Sequence, residues 1–352
     1  MKKILFINSS LTSGGSERVM TLLANEFAQR GYEVSMVLLR ELKPDVYILN
    51  SNINVIRFEY GTKNKVIILL KRMYKLRRLF LKNKFDAAIA FMVDINCLAL
   101  ICGMGINLPI IISERADPSR ENFIYRYIEK MLYPKAKKLV CQTPHVVDLY
   151  DDNIKKLGIV IPNPVNSDLP YVKEKIVEKK IVTAGRMTEQ KDFETLIKAY
   201  AKFHIVYPEY TLEIFGKGAL AEKLKSLAKD LGVENSVYFH GFVNNLPDYF
   251  SEASMYVSTS IYEGISNAMI EAMAIGLPCV CTDCPVGGAH MMIENNVNGI
   301  LVEIGNEEQI CSSMLKIAGD KDFAKSLGSN AKKIREKYSI ERIANKWAEL
   351  ID

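Results

Sequence analysis

Short runs of β-branched and apolar residues alternate with helical patterns along almost the whole chain. The first unit joins the strand pattern KKILFINSS to the helical pattern SERVMTLLANEFAQRG and then to the strand pattern YEVSMVLL. This order predicts a βαβ unit, in which two parallel strands are joined by a helix that covers the sheet. Gly31 is expected to end the helix, because glycine readily adopts the left-handed backbone of a helix C-terminus.

The same alternation predicts two separate sheets. It is interrupted by the proline-rich segment PNPVNSDLP and the charged segment VKEKIVEKK, and it restarts at KKIVTAG. Further strands are predicted in INVIRFEY, DAAIAFM, LPIIISE, KKLVCQT, GIVIPNP, KKIVTAG, YTLEIFG, SVYFHGF, SMYVSTS, LPCVCTD and GILVEI. Helices are predicted over 64–84, 95–104, 121–133, 144–152, 191–206, 219–231 and 266–275, and the stretch after GILVEI is predicted to be helical to its end. A length of 352 residues also favours two cores over one.

The predicted fold is therefore α/β, with two Rossmann-like, doubly wound domains facing a central cleft. We place the first domain at 1–168 and the second at 169–338. The last helix, 339–352, carries Trp347 on its apolar face and is expected to pack on the first domain. Ligands of doubly wound sheets bind beyond the carboxyl ends of the strands, so the chemistry is expected there.

Composition narrows the class of protein. Hydrophobic residues make up 49% and charged residues 25%, which are ordinary globular values. No stretch of about 20 apolar residues occurs, and the N-terminal MKKILFINSS turns polar too early for a secretory signal. Seven cysteines without framework spacing predict reduced thiols and a cytoplasmic protein. Cys279 and Cys281 lie in a predicted buried strand without a second C-x2-C pair, so no metal is expected.

The segment YEGISNAMIEAMAIG is the first candidate site. Glu263 and Gly264 follow a predicted strand, and a helix begins near Ser266. The first amides of that helix, from Ile265 to Asn267, are expected to form an anion site. Glu271 lies about one turn into the helix, where its carboxylate can accept two vicinal ribose hydroxyls. Taken alone, the two glutamates are equally well explained as a helix-start charge and an exposed helical residue.

A second candidate segment, AGRMTEQK, follows the first strand of the second domain. Arg186 and Lys191 come directly after this strand, where guanidinium and ammonium groups suit phosphate oxygens. Two weaker signals follow. FGKG, with Gly216, allows close backbone approach to a flat base, and HGFV, with Phe242 and Val243, brings backbone to a base edge.

The order of these motifs resembles the retaining glycosyltransferases of family 4, which have the GT-B fold. The resemblance rests on GGxER, R-x4-K, GxG and E-x7-E and runs from Gly14 to Gly299. It implies transfer from a nucleotide sugar, with Arg186, Lys191, Ser266 and Asn267 on the diphosphate and Glu271 on the ribose. Independently, fixed cations and helix amides can stabilise the leaving diphosphate, so no metal or cofactor is expected. The full set of candidate donor-binding residues is Gly15, Arg186, Lys191, Gly216, Phe242, Val243, Gly264, Ile265, Ser266, Asn267 and Glu271. Glu263 is the implied catalytic residue, placed near the anomeric carbon of the donor sugar.

The chain also departs from the family pattern. Many relatives have a histidine after the strand LPIII, where this chain has SERADPS. Glu114 and Arg115 in that loop are expected either to contact sugar or acceptor, with Gly14, or to form a surface ion-pair cluster with Asp117. A dinucleotide-binding Rossmann site is a rival interpretation of TSGGSER, but the third glycine of its fingerprint is missing.

Charge is divided unevenly along the chain. Residues 1–170 carry 25 Lys/Arg and 16 Asp/Glu, whereas residues 171–352 carry 21 and 25. Residues 63–84 hold nine Lys/Arg, no acid and an apolar stripe. Docking of the stripe on the core sheet explains the apolar face, whereas the basic face favours contact with an anionic membrane surface.

These patterns lead to a hypothesis about substrates and location. The chain is expected to use a UDP-sugar and a lipid-linked saccharide acceptor at the inner face of the cell membrane. It is not expected to bind nucleic acid, because no recognised motif accompanies the basic segment. A soluble acceptor, a nucleotide-binding sensor without catalysis and a non-hydrolysing sugar-nucleotide epimerase remain as alternatives.

Overall fold

The computed structural model describes residues 1–12, 14–40, 46–115, 117–173 and 178–351. The chain divides into two compact units, the first formed by 1–164 with 340–352 and the second by 165–339. Each unit contains one parallel sheet, and helices connect most of its consecutive strands. The predicted α/β class with two Rossmann-like sheets is therefore confirmed.

The sheet of the first unit has seven strands in the order β3-β2-β1-β4-β5-β6-β7. The strands are β1 Lys3–Asn8, β2 Glu33–Leu38, β3 Asn54–Arg57, β4 Ala87–Phe91, β5 Ile110–Ser113, β6 Lys138–Cys141 and β7 Gly158–Val160. The helices are α1 Gly15–Gln29, α2 Lys65–Lys82, α3 Val93–Gly103, α4 Phe123–Leu132, α5 Pro144–Asp148 and α6 Asp152–Lys155. The central strands β1 and β4 are buried along almost their whole length, as expected for a sheet covered on both faces.

The second unit has a six-stranded sheet in the order β10-β9-β8-β11-β12-β13. Its strands are β8 Lys180–Ala184, β9 Thr211–Phe215, β10 Val237–Gly241, β11 Met255–Ser258, β12 Cys279–Thr282 and β13 Ile300–Val302. Its helices are α7 Phe193–Val206, α8 Ala221–Asp230, α9 Leu246–Glu252, α10 Asn267–Ile275, α11 Gly288–Met292, α12 Glu307–Gly319, α13 Lys321–Ala331 and α14 Ile334–Lys337. The short helices α9 and α11 escaped prediction, because five to seven residues are too few to display a helical period.

The last helix, α15 Ile340–Ile351, belongs to the first unit. Trp347 is fully buried and stacks on Phe91 at the end of β4, with ring centroids 5.6 Å apart. The Arg30 guanidinium, at the end of α1, donates to the Asn345 Oδ1 at 2.6 Å and to the Glu341 carbonyl at 2.8 Å. A buried tryptophan and a two-pronged arginine contact thus attach this helix to α1 and β4.

Local signals in the sequence correspond to local structure. Gly31 has φ +84° and closes α1 through its amide, which donates to the Ala28 carbonyl at 3.2 Å. Asp320 caps α13, since its Oδ1 accepts from the Phe323 amide at 2.9 Å. All seven cysteines are buried thiols. Burial raises the pKa of the Cys279 and Cys281 thiols, so that both stay protonated in the core.

The strand order of the second unit reverses its direction at β8. Successive strands β9 and β10 lie on one side of β8, and β11 to β13 lie on the other. β8 and β11 are directly hydrogen-bonded neighbours, with Met255 opposite Ile181 and Tyr256 opposite Val182. Such a switch point opens a crevice at the carboxyl ends of the two strands, which is where this fold class binds ligands.

Candidate functional site

Lys191 and Glu263 meet at the switch point of the second unit. The loop after β8 carries Lys191, and the loop after β11 carries Glu263. The Lys191 Nζ lies 2.6 Å from both carboxylate oxygens of Glu263, and the Ser260 hydroxyl donates to Glu263 Oε2 at 2.8 Å. The two charged side chains are only 11% and 20% exposed. A partly buried ion pair therefore lies where a substrate of this fold class is expected.

The two loops that carry this pair are bonded directly to each other. The Gln190 side-chain amide donates to the Tyr262 carbonyl at 3.0 Å, and the Ile261 backbone amide donates to the Gln190 carbonyl at 2.8 Å. The Thr259 hydroxyl donates to the carbonyls of Lys191 and Asp192, both at 2.9 Å. These bonds hold the Lys191 backbone against the β11 loop, so the ion pair is positioned by main chain as well as by charge.

Two glycines allow the backbone to pack closely beneath the Lys191 side chain. A Cβ on Gly185 would lie 2.8 Å from Lys191 Cε, and a Cβ on Gly216 would lie 1.9 Å from the Gly185 carbonyl oxygen. Gly216 also has φ +134°, a conformation that L residues with a side chain rarely adopt. The glycines at the ends of β8 and β9 are thus required by the path of the chain beneath the lysine.

Helix α10 begins beside the ion pair. Ser266 is its N-cap, and its hydroxyl accepts from the Met269 amide at 3.5 Å. Gly264, Ile265 and Asn267 surround this helix start, and the wall of the adjoining cavity includes Glu263, Gly264 and Ser266. A helix start concentrates amide donors and the positive end of the helix dipole, which together favour an anion.

Glu271 is buried rather than exposed. It lies within α10 and is 4% exposed. The interpretation of this residue as a solvated helical glutamate is therefore wrong. A carboxylate at this depth is stable only with hydrogen-bond donors around it.

Arg186 differs from Lys191 in its surroundings. Its side chain is exposed, and it makes no ion pair with the residues that the structure describes. An exposed arginine and a partly buried lysine after the same strand give two cations of different kind. One is available for bidentate contact with phosphate, and the other is held in place by a carboxylate.

Comparisons with known proteins agree with this geometry. Residues 172–334 match the family model described as glycosyl transferases group 1, and residues 13–169 match glycosyltransferase family 4. The chain is 31% identical over 357 residues to an uncharacterized glycosyltransferase of Haemophilus influenzae, and 99% of each chain is covered. The chain belongs to the family 4 glycosyltransferases.

One further relative of this glycosyltransferase and one solved structure with a similar fold bear on its site. One is the N-acetylgalactosamine-N,N'-diacetylbacillosaminyl-diphospho-undecaprenol 4-alpha-N-acetylgalactosaminyltransferase of Campylobacter jejuni, 28% identical over 373 residues with 99% of each chain covered. The other is the solved structure of Anabaena HepE in complex with UDP. It has a TM-score of 0.83 and 19% identity and covers 99% of both chains, which shows a shared GT-B fold.

The structure of the glycosyltransferase places the weaker donor candidates at the carboxyl end of β10. Phe242 and Val243 follow this strand directly, and Phe242 is exposed. The neighbouring His240 donates to or accepts from Glu213 and stacks on Phe215, with ring centroids 4.7 Å apart. His240 is thus engaged within the sheet, whereas Phe242 presents a ring to the surface.

In the first unit, the predicted surface ion-pair cluster of Glu114, Arg115 and Asp117 is wrong. Glu114 is buried, and its Oε1 accepts from the Tyr133 hydroxyl and the Asn96 amide, both at 2.7 Å. Burial raises the pKa of Glu114 to about 8. Asp117 instead caps a 3-10 turn by accepting from the Ser119 amide at 2.9 Å.

Arg115 turns to the other side of its strand. Its Nη1 donates to Asn163 Oδ1 at 2.5 Å, and its guanidinium carbon lies 4.2 Å from the centre of the Phe91 ring. Gly14 is the N-cap of α1 and Gly15 its first residue, so both lie at the carboxyl end of β1. The donor candidate Gly15 and the acceptor candidates Gly14 and Arg115 therefore lie at the same edge of the first sheet, whereas the carboxyl of the third acceptor candidate, Glu114, faces the interior.

One residue of the site was missed. Ser260 donates to the Glu263 carboxylate, yet STS in the sequence is an ordinary strand end. Its alternation with Ser258 gives a weak signal, because both then face the same side of the strand. The bond depends on the path of the loop after β11, which brings Ser260 and Glu263 together across three residues.

Proposed function

We propose that this glycosyltransferase is a retaining, metal-independent enzyme that moves a hexose or N-acetylhexosamine from a UDP-sugar. The proposed acceptor is a saccharide linked to a polyprenyl diphosphate, in surface polysaccharide or glycan biosynthesis. The observation that carries the donor assignment is the Lys191–Glu263 pair between the ends of β8 and β11, beside the start of α10. Cations, helix amides and one carboxylate are then gathered at a single crevice.

The proposed division of roles follows from the charges of the reaction. Cleavage of a sugar–phosphate bond develops negative charge on the leaving diphosphate and positive charge on the sugar ring. Arg186, Lys191 and the Ser266 helix start would stabilise the diphosphate, and Glu263 would stabilise the sugar. Glu271 would hold the ribose. Because fixed cations neutralise the leaving group in this scheme, no metal is required.

The acceptor proposal draws support from two sources. The Campylobacter relative is described as acting on a diphospho-undecaprenol saccharide. In addition, α2 carries an exposed surface that is both basic and apolar. No helix in the described part of the chain is long and apolar enough to cross a membrane. We therefore propose peripheral attachment to the inner membrane face.

The exposure of α2 favours a membrane surface over simple packing. Only Leu76 and Phe80 are buried, whereas Val66 is 67% and Leu70 60% exposed, so docking on the sheet explains only one half of the apolar stripe. Helix α4, which also contacts α3, adds exposed aromatic residues, including Phe123. Exposed apolar side chains with adjacent cations are typical of helices that lie in a membrane interface.

The cations of α2 are of two kinds. Arg77 donates to the carbonyls of Cys102 at 3.0 Å and Met104 at 2.8 Å, and Lys71 and Lys75 also donate to backbone carbonyls. Arg78 and Lys82 are exposed, and neither makes an ion pair with the described residues. Arg78 and Lys82 lie one helical turn apart. They are the better targets for a membrane test, because changing them breaks none of these bonds to backbone carbonyls.

Reversing these two charges is expected to release the protein from anionic membranes. We expect Arg78→Glu with Lys82→Glu to reduce flotation with phosphatidylglycerol vesicles at least tenfold, since each cation contributes about 1 kcal/mol. The matched control is Lys225→Glu with Lys229→Glu on α8, which has the same spacing and charge change. Equal flotation of the test variant and wild type, or no flotation of wild type, would contradict membrane attachment.

A donor and acceptor screen tests the reaction itself. UDP-, GDP- and TDP-sugars are incubated with the enzyme, alone and with a polyprenyl-diphosphate saccharide, and product is separated by chromatography. We expect transfer from one UDP-sugar only when the lipid-linked acceptor is present. Nucleotide binding without transfer would favour a sensor, and conversion of the donor sugar without acceptor would favour an epimerase. Equal transfer to a soluble saccharide would contradict the lipid-linked acceptor.

A further inference from the structure

Arg115 presents one hydrogen-bonding edge that the protein does not use. Its Nη1 is bonded to Asn163 and its face lies on the Phe91 ring. Its Nε and Nη2 are buried, and neither has a hydrogen-bond partner among the residues that the structure describes. These two nitrogens form one side of the planar guanidinium. It is the side that binds carboxylate or phosphate through two parallel hydrogen bonds.

No acid of the surrounding loop occupies that edge. The neighbouring Glu114 carboxyl is bonded to Tyr133 and Asn96, and Asp117 caps a 3-10 turn. The Asn163 oxygen that accepts from Arg115 also accepts from the Gln142 amide at 2.8 Å. The groups in direct contact with the cation, Asn163 and Phe91, are therefore neutral and fix its orientation, and the nearby Glu114 acts on it only through space.

The burial of this charge has an energetic consequence. Desolvation lowers the pKa of the Arg115 guanidinium to about 9, which measures how unfavourable the buried charge is. A buried cation without a counter-ion destabilises the folded chain, and a bound anion would remove that penalty. Asn8 is a second buried donor at the carboxyl edge of the same sheet, since it ends β1 and its Nδ2 also lacks a partner among the described residues. The polar atoms without a partner on Arg115 and Asn8 are all hydrogen-bond donors, so a ligand rich in acceptor oxygens fits them.

The position of Arg115 matches that of a ligand site. Phe91 ends β4, Arg115 follows β5 and Asn163 follows β7, so all three lie at the carboxyl edge of the first sheet. We propose that Arg115 is a substrate-binding residue that takes an oxyanion, a phosphate or carboxylate group, between its Nε and Nη2. This inference rests on the proposed transferase function. The oxyanion comes either from the donor diphosphate or from an anionic group on the acceptor.

Two substitutions test the free edge. Arg115→Lys keeps the charge but removes the two-nitrogen edge, and Arg115→Gln removes both. Arg342→Gln, on the exposed face of α15 in the same unit, is the matched control. Thermal unfolding of each variant confirms that the chain is folded, and Arg115→Lys serves if Arg115→Gln does not fold.

The measurements distinguish the two sources of the oxyanion. A donor oxyanion predicts that UDP binding, measured by calorimetry, weakens at least tenfold in both variants. An acceptor oxyanion predicts at least a tenfold rise in KM for the polyprenyl-diphosphate saccharide. KM for the same saccharide on a neutral alkyl chain would stay within twofold. Less than a twofold change in UDP binding and in both acceptor KM values would overturn the proposal. So would an equal rise for charged and neutral acceptors with unchanged UDP binding.

A binding probe separates this inference from the proposed reaction. Inorganic pyrophosphate is titrated into wild type, Arg115→Gln and Arg342→Gln. Loss of at least tenfold in affinity, or of one binding site, in Arg115→Gln alone supports the oxyanion site even if wild type transfers no sugar. If wild type transfers sugar, and Arg115→Gln binds pyrophosphate as wild type does with both acceptor KM values unchanged, the role proposed for Arg115 is refuted. The transferase proposal is then left intact.

Discussion

Glu263→Gln is expected to reduce sugar transfer by about 100- to 1,000-fold while UDP binding is retained or strengthened. The glutamine keeps the shape of the side chain and can still accept from the Ser260 hydroxyl. It cannot stabilise positive charge on the sugar ring. It also releases Lys191, whose Nζ lies 2.6 Å from both carboxylate oxygens. The freed ammonium is then fully available to the diphosphate.

The prediction requires that turnover of Glu263→Gln falls while its affinity for UDP does not. Turnover is measured with a saturating UDP-sugar, and UDP affinity is measured separately by calorimetry. A parallel loss of both would mean that Glu263 holds the nucleotide or the loop rather than the sugar. Unimpaired turnover would remove Glu263 from the chemistry. Glu209→Gln is the control, because Glu209 pairs with Lys179 at 2.8 Å in the same unit, at the amino ends of β9 and β8 rather than at their carboxyl ends.

Lys191→Ala is expected to weaken UDP binding about 10- to 100-fold, the loss of ~1.4–2.8 kcal/mol expected for a charge-assisted contact to phosphate. The loss has two parts. One cation no longer meets the diphosphate, and the Glu263 carboxylate is left beside the anion without its partner. The second part is a repulsion that exists only because the structure pairs these two residues.

A double-mutant cycle measures that repulsion. Adding Glu263→Gln to Lys191→Ala is expected to restore part of the UDP affinity, although turnover stays low. Lys198→Ala, which breaks an exposed pair on α7, is expected to leave UDP binding within twofold. If the double variant binds UDP no better than Lys191→Ala, the ion pair is not coupled to the nucleotide. If Lys191→Ala binds UDP normally, Lys191 does not contact the diphosphate.

The pairing of Lys191 with Glu263 illustrates what a linear pattern leaves open. The spacings R-x4-K and E-x7-E identify two segments separated by about 70 residues, each at the end of a strand. They do not show that β8 and β11 are hydrogen-bonded neighbours, which depends on the crossover after β10. Only because these strands are neighbours does Lys191, predicted to bind phosphate, form an ion pair with Glu263, predicted to bind the sugar.

Glu114 and α2 show the same limit in the first unit. In SERADPS, three charged residues within four positions indicate an exposed cluster. In the fold, consecutive side chains point to opposite sides, so Glu114 reaches Tyr133 and Arg115 reaches Asn163. Likewise, the apolar stripe of α2 is regular along the helix, but only its second half lies on the core.

The sequence by itself determined the α/β class, nearly every strand and the longer helices. It also placed the helix start at Ser266 and the family to which the chain belongs. These features depend on periodicity, glycine and capping residues, and short motifs, all of which are local along the chain. The tertiary structure decided which of these features meet. It paired Lys191 with Glu263, buried Glu271 and Glu114, left one edge of Arg115 without a partner and exposed half of α2. Such outcomes depend on strand order and on the direction of each side chain, which local patterns do not specify.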